Sequence, residues 1–539
     1  MKYIYPHKKV LFIFLIVLVS SVSAFGQLQY QPYSYQFYQK LNTDVYNPST
    51  RLHTALKPYF LDDSSSLRVR YDSLMLNNID NSKNSWLHRV LFNGHIADVK
   101  RKDFTFYFDY LTDIGTGREI NDSKSTYINT RGYEAGGTIG KRFFFFTSAY
   151  ENQGRFANYE QDYINTKAFV PGQAQDRTTI GQTTVKNSSD WSYSTVLLGF
   201  GASKSLVLNM GIDKVFIGDG YRSVLLSDYS SSYPLFRLTA DLGKNVTYMA
   251  MWAYLDDQNA HRFDVNTSGP NTRRKWAVFH YIDWNITNRA SLGFFNALIA
   301  AEADDQGNRH GFDFNYVNPI LFSSSLGPSS TITDHTLLGF NAKYKVLNKT
   351  TVYGQILFDQ ADGGSSTTKS AFQLGFRGSD LFKVNTLNYI FEFNTASPYT
   401  YANPNPIVNY TQFSEPLGHP FGANFKEYLG ILNYSIGKFD LQGQVNYATY
   451  GLNAGGINYG KDITLPDNVA IANGSTGQGL ATTLKYAEGT IAYVLNPKYN
   501  LRLEIGALVR QEKNNVSDTK TALITFGLRS SFRNLYHDF

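Results

Sequence analysis

Apolar and polar residues alternate with a period of two along much of this chain. In Leu338-Gly-Phe340-Asn-Ala342-Lys-Tyr344-Lys-Val346 every second residue is apolar, and Gly339, Asn341, Lys343 and Lys345 between them are small or polar. The same period sets Phe104, Phe106, Phe108 and Tyr110 against Thr105, Tyr107 and Asp109, and Leu206, Leu208, Met210 and Ile212 against Asn209, Gly211 and Asp213. It returns at 372–377, 387–393, 439–447 and 501–510, where Gln373, Arg377, Asn388, Glu392, Asp440, Gln442, Gln444, Asn446, Arg502 and Glu504 make up the polar sets. A two-residue period places the two sets on opposite faces of a pleated strand.

The polar sets decide where such strands sit. A sandwich core could not bury that many Lys, Arg, Glu, Asp and Gln side chains, whereas a wet interior with an apolar exterior takes them on every strand. The pattern predicts an all-β fold, a transmembrane antiparallel β-barrel. Tyr107, Tyr110, Tyr389, Tyr434, Tyr447, Tyr486 and Tyr493 are placed for its interfacial girdles. Turn signals at Asn77 to Asn84, Asp362 to Ser365, Gly378 to Asp380, Asn453 to Gly456 and Asn473 to Ser475 separate the runs. Arg155 to Ser189, Asp256 to Arg273 and Ala396 to Phe425 are longer than a tight turn needs and read as extracellular loops. At ~28 residues per strand with its share of loop, the chain yields about 18 strands, within a range of roughly 16 to 20.

The ends depart from this period. Lys2, Lys8 and Lys9 followed by the apolar run Val10 to Val19 make residues 1–26 an export signal, too short to span a membrane. Residues 27–85 alternate poorly, carry a short helix around Tyr35 to Leu41, and form an N-terminal periplasmic lead-in or lumen plug. Residues 86–539 then make the outer-membrane barrel. Ile524, Phe526, Leu528 and Phe532 are expected in its last strand, and the terminal Phe539 fits what barrel-assembly machinery recognises.

Composition narrows the function. None of the 539 residues is cysteine, which excludes disulfide scaffolds, thiolate metal sites and cysteine catalysis. The formal charge of +6 falls to +3 once three signal lysines are removed, so nucleic acid is not an expected partner. The ten histidines are scattered, with no His-Glu-x-x-His. Gly136 to Lys141 resembles a phosphate loop only superficially, because Ala135 and Arg142 stand where Gly and Ser or Thr are required. Asp304-Asp305-Gln306-Gly307-Asn308, and Asp359 with Asp362, lack the bidentate Glu of a calcium loop. No catalytic residue, metal site or cofactor site is assigned.

The densest unusual segment is Gly211 to Asp241. Lys214, Asp219, Tyr221, Arg222 and Asp228 gather around Gly218 and Gly220, enough for an internal charge network. That network either braces the lumen or meets a sugar or partner just inside the mouth.

Gly218-Asp-Gly-Tyr-Arg-Ser223 with Leu225-Leu-Ser-Asp228 and Pro234 resembles the signature of Wzi-type capsule-assembly barrels. Val352 to Asp359 and Pro416-Leu-Gly-His-Pro420 are similar to later segments of that family, although Phe216-Ile217 stands in place of its Trp-Trp pair. Gln31 to Tyr35, Met249 to Tyr254, Phe279 to Asn285, Gly311 to Phe314 with Asn318-Pro319, Asn458 to Asp462 and Asn496 to Asn500 resemble the gliding-motility RemB-type proteins of Bacteroidota. The resemblance implies an outer-membrane barrel of about 18 strands serving surface motility or surface polysaccharide, with no reaction attached. Its partners would be outer-membrane lipid, a surface polysaccharide or adhesin, the motility or secretion machinery and the barrel-assembly machinery. Two other classes stay open at this point. One is a transport pore lined by Lys343, Lys345, Arg377, Asp440 and Glu504; the other is a hydrolase on the barrel wall.

Overall fold

A computed structural model describes residues 28–62, 66–75, 85–178, 187–258, 273–303, 308, 316, 334–359, 369–467 and 475–539. The signal at 1–26, the turns at 77–84, 362–365 and 473–474, the acidic run 304–307, the segments 311–314 and 318–319, and most of the loop after Asp257 lie outside the described residues.

The alternating runs form β1 (Phe104–Glu119), β2 (Lys124–Ile139), β3 (Phe143–Arg155), β4 (Ser189–Ser203), β5 (Leu206–Asp213), β6 (Tyr233–Asp241), β7 (Val246–Asp257), β8 (Arg273–Asn285), β9 (Ala290–Ala301), β10 (Asp334–Leu347), β11 (Thr350–Asp359), β12 (Lys369–Gly378), β13 (Leu387–Ala396), β14 (Phe425–Ile436), β15 (Phe439–Leu452), β16 (Leu480–Asn496), β17 (Leu501–Lys513) and β18 (Asp518–Arg529). Each pairs antiparallel with the next, and β18 returns to β1 with Leu523 opposite Glu119, so eighteen strands close a barrel. Below that seam a short strand, Ala97–Arg101, takes the same edge of β1, with Ala97 opposite Phe108. Closure pairs the wall strands edge to edge, as a barrel in lipid requires. Among the described residues no helix is long and apolar enough to cross a membrane; the strands make the crossing.

The two ends differ as outer-membrane barrels require. Two-residue turns such as Lys204-Ser205, Asn348-Lys349 and Gly437-Lys438 mark the periplasmic end, and the connections 156–188, 214–232 and 397–424 mark the outer end. The alternation resolves as the sequence predicts. In β10, Phe340, Tyr344 and Val346 are exposed on the outer wall, while Asn341, Lys343 and Lys345 are buried inside. An apolar belt around a closed barrel is stable only in a bilayer, and the chain is an outer-membrane protein.

Two expectations are corrected. Tyr107 and Tyr486 are not girdle residues: they face the lumen, where their hydroxyls donate to Glu134 at 3.2 Å and Glu488 at 2.7 Å. Tyr110 and Tyr447 do stand exposed on the outer wall. The last strand ends at Arg529, before Phe532. Ser530 N–H donates to Asp113 at 2.7 Å and Ser531 adopts a φ of +109°, which turns residues 530–539 back into the lumen. Phe532 then packs on Phe37 with ring centroids 5.2 Å apart, and Phe539 lies 4.6 Å from Tyr163.

The interior is filled by protein. From the N-terminal side come α1 (Tyr35–Gln39), capped by the Ser34 hydroxyl as the predicted helix at Tyr35 to Leu41 requires, and α2 (Asn42–Val45). Phe37, Tyr38, Leu41, Val45, Leu61 and Phe532 bury one another there. Two outer connections, 214–232 and 397–424, fold inward against them. Tyr410 and Tyr401 donate to the carbonyls of Leu225 and Val224 at 2.7 and 2.8 Å, joining one inward loop to the other.

Candidate functional site

The segment Asp213 to Tyr233 can enter the lumen because its glycines let the backbone press on the wall. Gly218 has a φ of +152°, and a Cβ there would come within 2.6 Å of the Gln355 amide nitrogen. Gln355 in turn donates to Ile217 O at 2.9 Å and accepts from Val224 N–H at 2.9 Å. Phe216 and Ile217 pair with Lys57 and Leu56 of the N-terminal segment in a two-residue antiparallel ladder. The loop is thereby held on both sides.

Asp219 is the first charged hub. It is fully buried, and its carboxylate accepts from Tyr46 Oη at 2.9 Å, from Thr54 Oγ1, and from Asn341 Nδ2 at 3.4 Å. Lys343 Nζ lies 3.9 Å from the same carboxylate. Arg377 donates to the Asp219 carbonyl and to Asn42 at 2.5 Å, and stacks 4.3 Å from the Tyr46 ring centroid. Lys57 donates to Gly218 O. Asp219 thus ties the N-terminal segment to β10 through its carboxylate and to β12 through its carbonyl.

Arg222 is the second hub, also fully buried. Its Nη2 donates to Glu427 at 3.1 Å, to Asp538 Oδ2 at 2.9 Å and to the Asp538 carbonyl at 2.9 Å. Glu427 also meets His419 Nε2 at 2.8 Å, and Asp538 accepts from Gln444. Glu392 receives the backbone N–H groups of Tyr221 and Arg222 at 2.5 and 3.2 Å, and Tyr353 Oη at 2.7 Å. Here the loop is joined to β13, β14 and the 530–539 tail.

The remaining residues singled out by sequence make further internal bonds around these hubs. Lys214 donates to the carbonyls of Gly172 and Asp228, the latter at 3.1 Å. Asp228 accepts from Asn534 at 2.7 Å and Tyr536 at 2.6 Å. Tyr221 packs edge-on against Tyr35 at 4.7 Å and under the Arg222 guanidinium at 5.0 Å. Lys345 holds the carbonyls of Asn47 and Thr50 at 2.7 and 3.0 Å, and Asp440 pairs with Lys40 at 2.6 Å. Glu504 is clasped by Arg502 and Arg529 at 2.8 and 2.7 Å. All five residues named for a pore lining face inward, and each is bonded to protein. Among the described residues no group of three or more His, Asp or Glu could hold a metal ion.

Sequence reasoning missed Glu427, Asp538, Glu392 and Tyr46. Their one signal was position: Glu392 is in an alternating polar set, and Glu427 follows Pro416-Leu-Gly-His-Pro420.

The N-terminal segment and the 530–539 tail respond to pH in opposite directions. Burial alone would raise the Asp219 carboxyl, but Lys343, Lys57, Thr54 and Arg377 outweigh it and hold it at about 2. Its contribution to docking is complete above the ordinary carboxylate value and is lost as the pH falls from about 4 toward 2. Burial lowers Lys57 to about 7, so this lysine adds docking stability as the pH rises from about 7 to about 10.5. Burial would also lower His537, but Glu160, 3.1 Å away, raises it to about 9. That contribution is complete below about 6.5 and is lost as the pH rises through 9. Hydrogen exchange corrected for intrinsic rates is therefore expected to show 530–539 losing protection between pH 6.5 and 9 while 41–57 keeps it. Equal loosening of both segments would contradict the assignment.

A cavity at the periplasmic end, about 470 Å³, is lined by Leu56, Phe60, Leu67, Val207, Arg237 and Asp241 among others. No family profile and no curated protein matches this chain by sequence. Solved structures match it by fold. Wzi of Escherichia coli, described as an outer membrane protein involved in group 1 capsule assembly and a carbohydrate-binding β-barrel, aligns over 94% of this chain and 100% of its own at a TM-score of 0.54 and 13% identity. OpdQ of Pseudomonas aeruginosa aligns over 79% of this chain and 98% of its own, at a TM-score of 0.41 and 12% identity. OccAB2 of Acinetobacter baumannii aligns over 78% and 97%, at 0.41 and 11%. What this chain shares with Wzi is the fold of an outer-membrane β-barrel.

Proposed function

We propose that this chain is a non-conducting, non-enzymatic outer-membrane barrel that supports gliding motility or cell-surface organisation by holding a surface polysaccharide or an adhesin at its outer loops. The observation that carries this reading is the filled lumen. Four inward-folded segments, 28–62, 214–232, 397–424 and 530–539, are bonded to one another and to the wall through buried charges. A barrel braced in this way is a rigid platform for its outer loops, and the Asp219 and Arg222 hubs are its braces.

The RemB-type segments support a motility role, and the fold shared with a carbohydrate-binding barrel supports a polysaccharide partner. The transport reading has less support, because Lys343, Lys345, Arg377, Asp440 and Glu504 are spent on internal bonds. Wall hydrolysis has less still. His335 bonds Val408 O at 3.0 Å and Asp359 at 2.6 Å, and His419 bonds Phe421 N–H at 3.2 Å and Glu427 at 2.8 Å, so both ring nitrogens of each are occupied.

A clean deletion is expected to reduce colony spreading or the polysaccharide retained on the cell surface, and the wild-type chain supplied in trans should restore it. Unchanged spreading together with unchanged surface polysaccharide would remove the basis of the proposal.

A further inference from the structure

The helix α3 (Ser66–Met75) packs Leu67 and Met75 into the apolar cluster around Phe37, whereas the next one, α4 (Trp86–Phe92), leaves most of its apolar residues outside. Trp86, Leu87, Val90, Leu91 and Phe92 are apolar, and of these Val90 alone is buried. Trp86 is 57% exposed, Leu87 58% and Leu91 40%. This helix is not loose. Ser85 caps it by accepting His88 N–H at 3.3 Å, and Val90 O accepts from Asn496 at 2.7 Å and Tyr499 at 2.9 Å. Asn496 also bonds Gly94 O at 2.9 Å. Asn496 ends β16 and Tyr499 lies in the tight turn to β17, so α4 is fixed at the periplasmic rim.

The bilayer boundary at that end is marked independently. Leu242, Ile286 and Phe382 on other periplasmic turns, and Leu347 at the periplasmic end of β10, stand exposed, which places that end at the membrane surface. Five residues beyond α4 the chain enters the wall at Ala97–Arg101, where Val99 is exposed opposite Phe106 on the lipid-facing side. Arg89, Arg101 and Lys102 are exposed nearby and supply cations at headgroup level. The apolar face of α4 is therefore continuous with the lipid-facing wall.

We infer that α4 is an interfacial anchor, with Trp86, Leu87 and Leu91 seated in the phospholipid of the periplasmic leaflet at the boundary of headgroups and acyl chains. Short amphipathic helices rich in Trp and Leu, with cations beside them, bind at this level. The anchor sits where the barrel needs it. β18 meets β1 over six residue pairs, and the strand that completes the seam, Ala97–Arg101, begins just after α4.

The absence of cysteine allows a unique label at any position. Leu87→Cys and Leu91→Cys, each carrying a nitroxide, are compared in phosphatidylethanolamine–phosphatidylglycerol vesicles with Val445→Cys on the lipid-facing wall and Val516→Cys on an exposed outer turn. Heat-modifiable electrophoretic mobility verifies each folded barrel. The expected result is that collisions with oxygen exceed those with a water-soluble nickel chelate at 87 and 91, as at 445 and opposite to 516. Nickel-dominated collisions would overturn the inference. So would shielding from both reagents with spin–spin broadening, which would make the face a contact between copies of this chain. Should the cysteine variants not fold, the emission lost in Trp86→Phe decides: quenching by headgroup-proximal brominated lipid supports the anchor, and quenching by aqueous acrylamide overturns it.

Discussion

Replacing Arg222 by methionine is expected to release residues 530–539 from the lumen and to lower the thermal midpoint of the folded barrel. The guanidinium is the shared partner of Glu427 and Asp538, and all three are buried. Methionine keeps much of the apolar stem, so the change removes charge more than volume. Two carboxylates then face each other with neutral donors, Gln444, Asn446 and Asn394, and with His419. Breaking a buried charge network by removing one partner costs about 3–5 kcal/mol, far more than an exposed pair is worth. The measurement is hydrogen exchange across the tail and the midpoint of the heat-modifiable mobility shift. Adding Glu427→Gln and Asp538→Asn to Arg222→Met should recover part of the loss, because the uncompensated charges are gone. A tail as protected in Arg222→Met as in the wild type would mean that Arg222 does not hold it.

Asp219→Ala is expected to act at least as strongly, but on the other end of the chain. It leaves Lys57, Lys343 and Arg377 close together without their carboxylate and strips Tyr46 and Thr54 of an acceptor. The expected cost is again about 3–5 kcal/mol. It should appear as protease cleavage within 28–62 in vesicles that expose the periplasmic end, with the 530–539 tail still protected. Asp219→Asn, which keeps an acceptor but not the charge, should lie between the two. The separation is the informative part: each hub bonds its own segment, so equal loosening of both segments by either variant would contradict the account.

The wall of this barrel is legible in the sequence because a strand with one face in lipid has to alternate. Alternation by itself assigns Phe340, Tyr344 and Val346 to one face and Asn341, Lys343 and Lys345 to the other. The long loops are equally readable, since β3 ends at Arg155, β4 begins at Ser189, β13 ends at Ala396 and β14 begins at Phe425. Alternation gives the side of a residue, however, and not its partner. Alternation already sets Tyr107 on the face of Thr105 and Asp109, against a girdle place, and the luminal acceptors Glu134 and Glu488 fix Tyr107 and Tyr486 inside. Phe532 continues the alternating pattern of β18 by residue type, but the backbone at Ser531 turns the chain away from the wall.

The network is half legible for a related reason. Lys214, Asp219, Arg222 and Asp228 sit within one segment, and two glycines advertise its tight packing. Glu427 and Asp538 reach Arg222 across 205 and 316 residues of chain, and no local spacing encodes a contact of that range.

The central claim is that protein, and not water, occupies the barrel interior. Planar bilayer recording of the purified wild-type chain tests it most directly. The account predicts no steady ohmic conductance at moderate voltage, in the same preparation whose heat-modifiable mobility shows folded barrels. Reproducible open-channel steps with a linear current–voltage relation would contradict it and return the inward-facing lysines and acids to the lining of a pore.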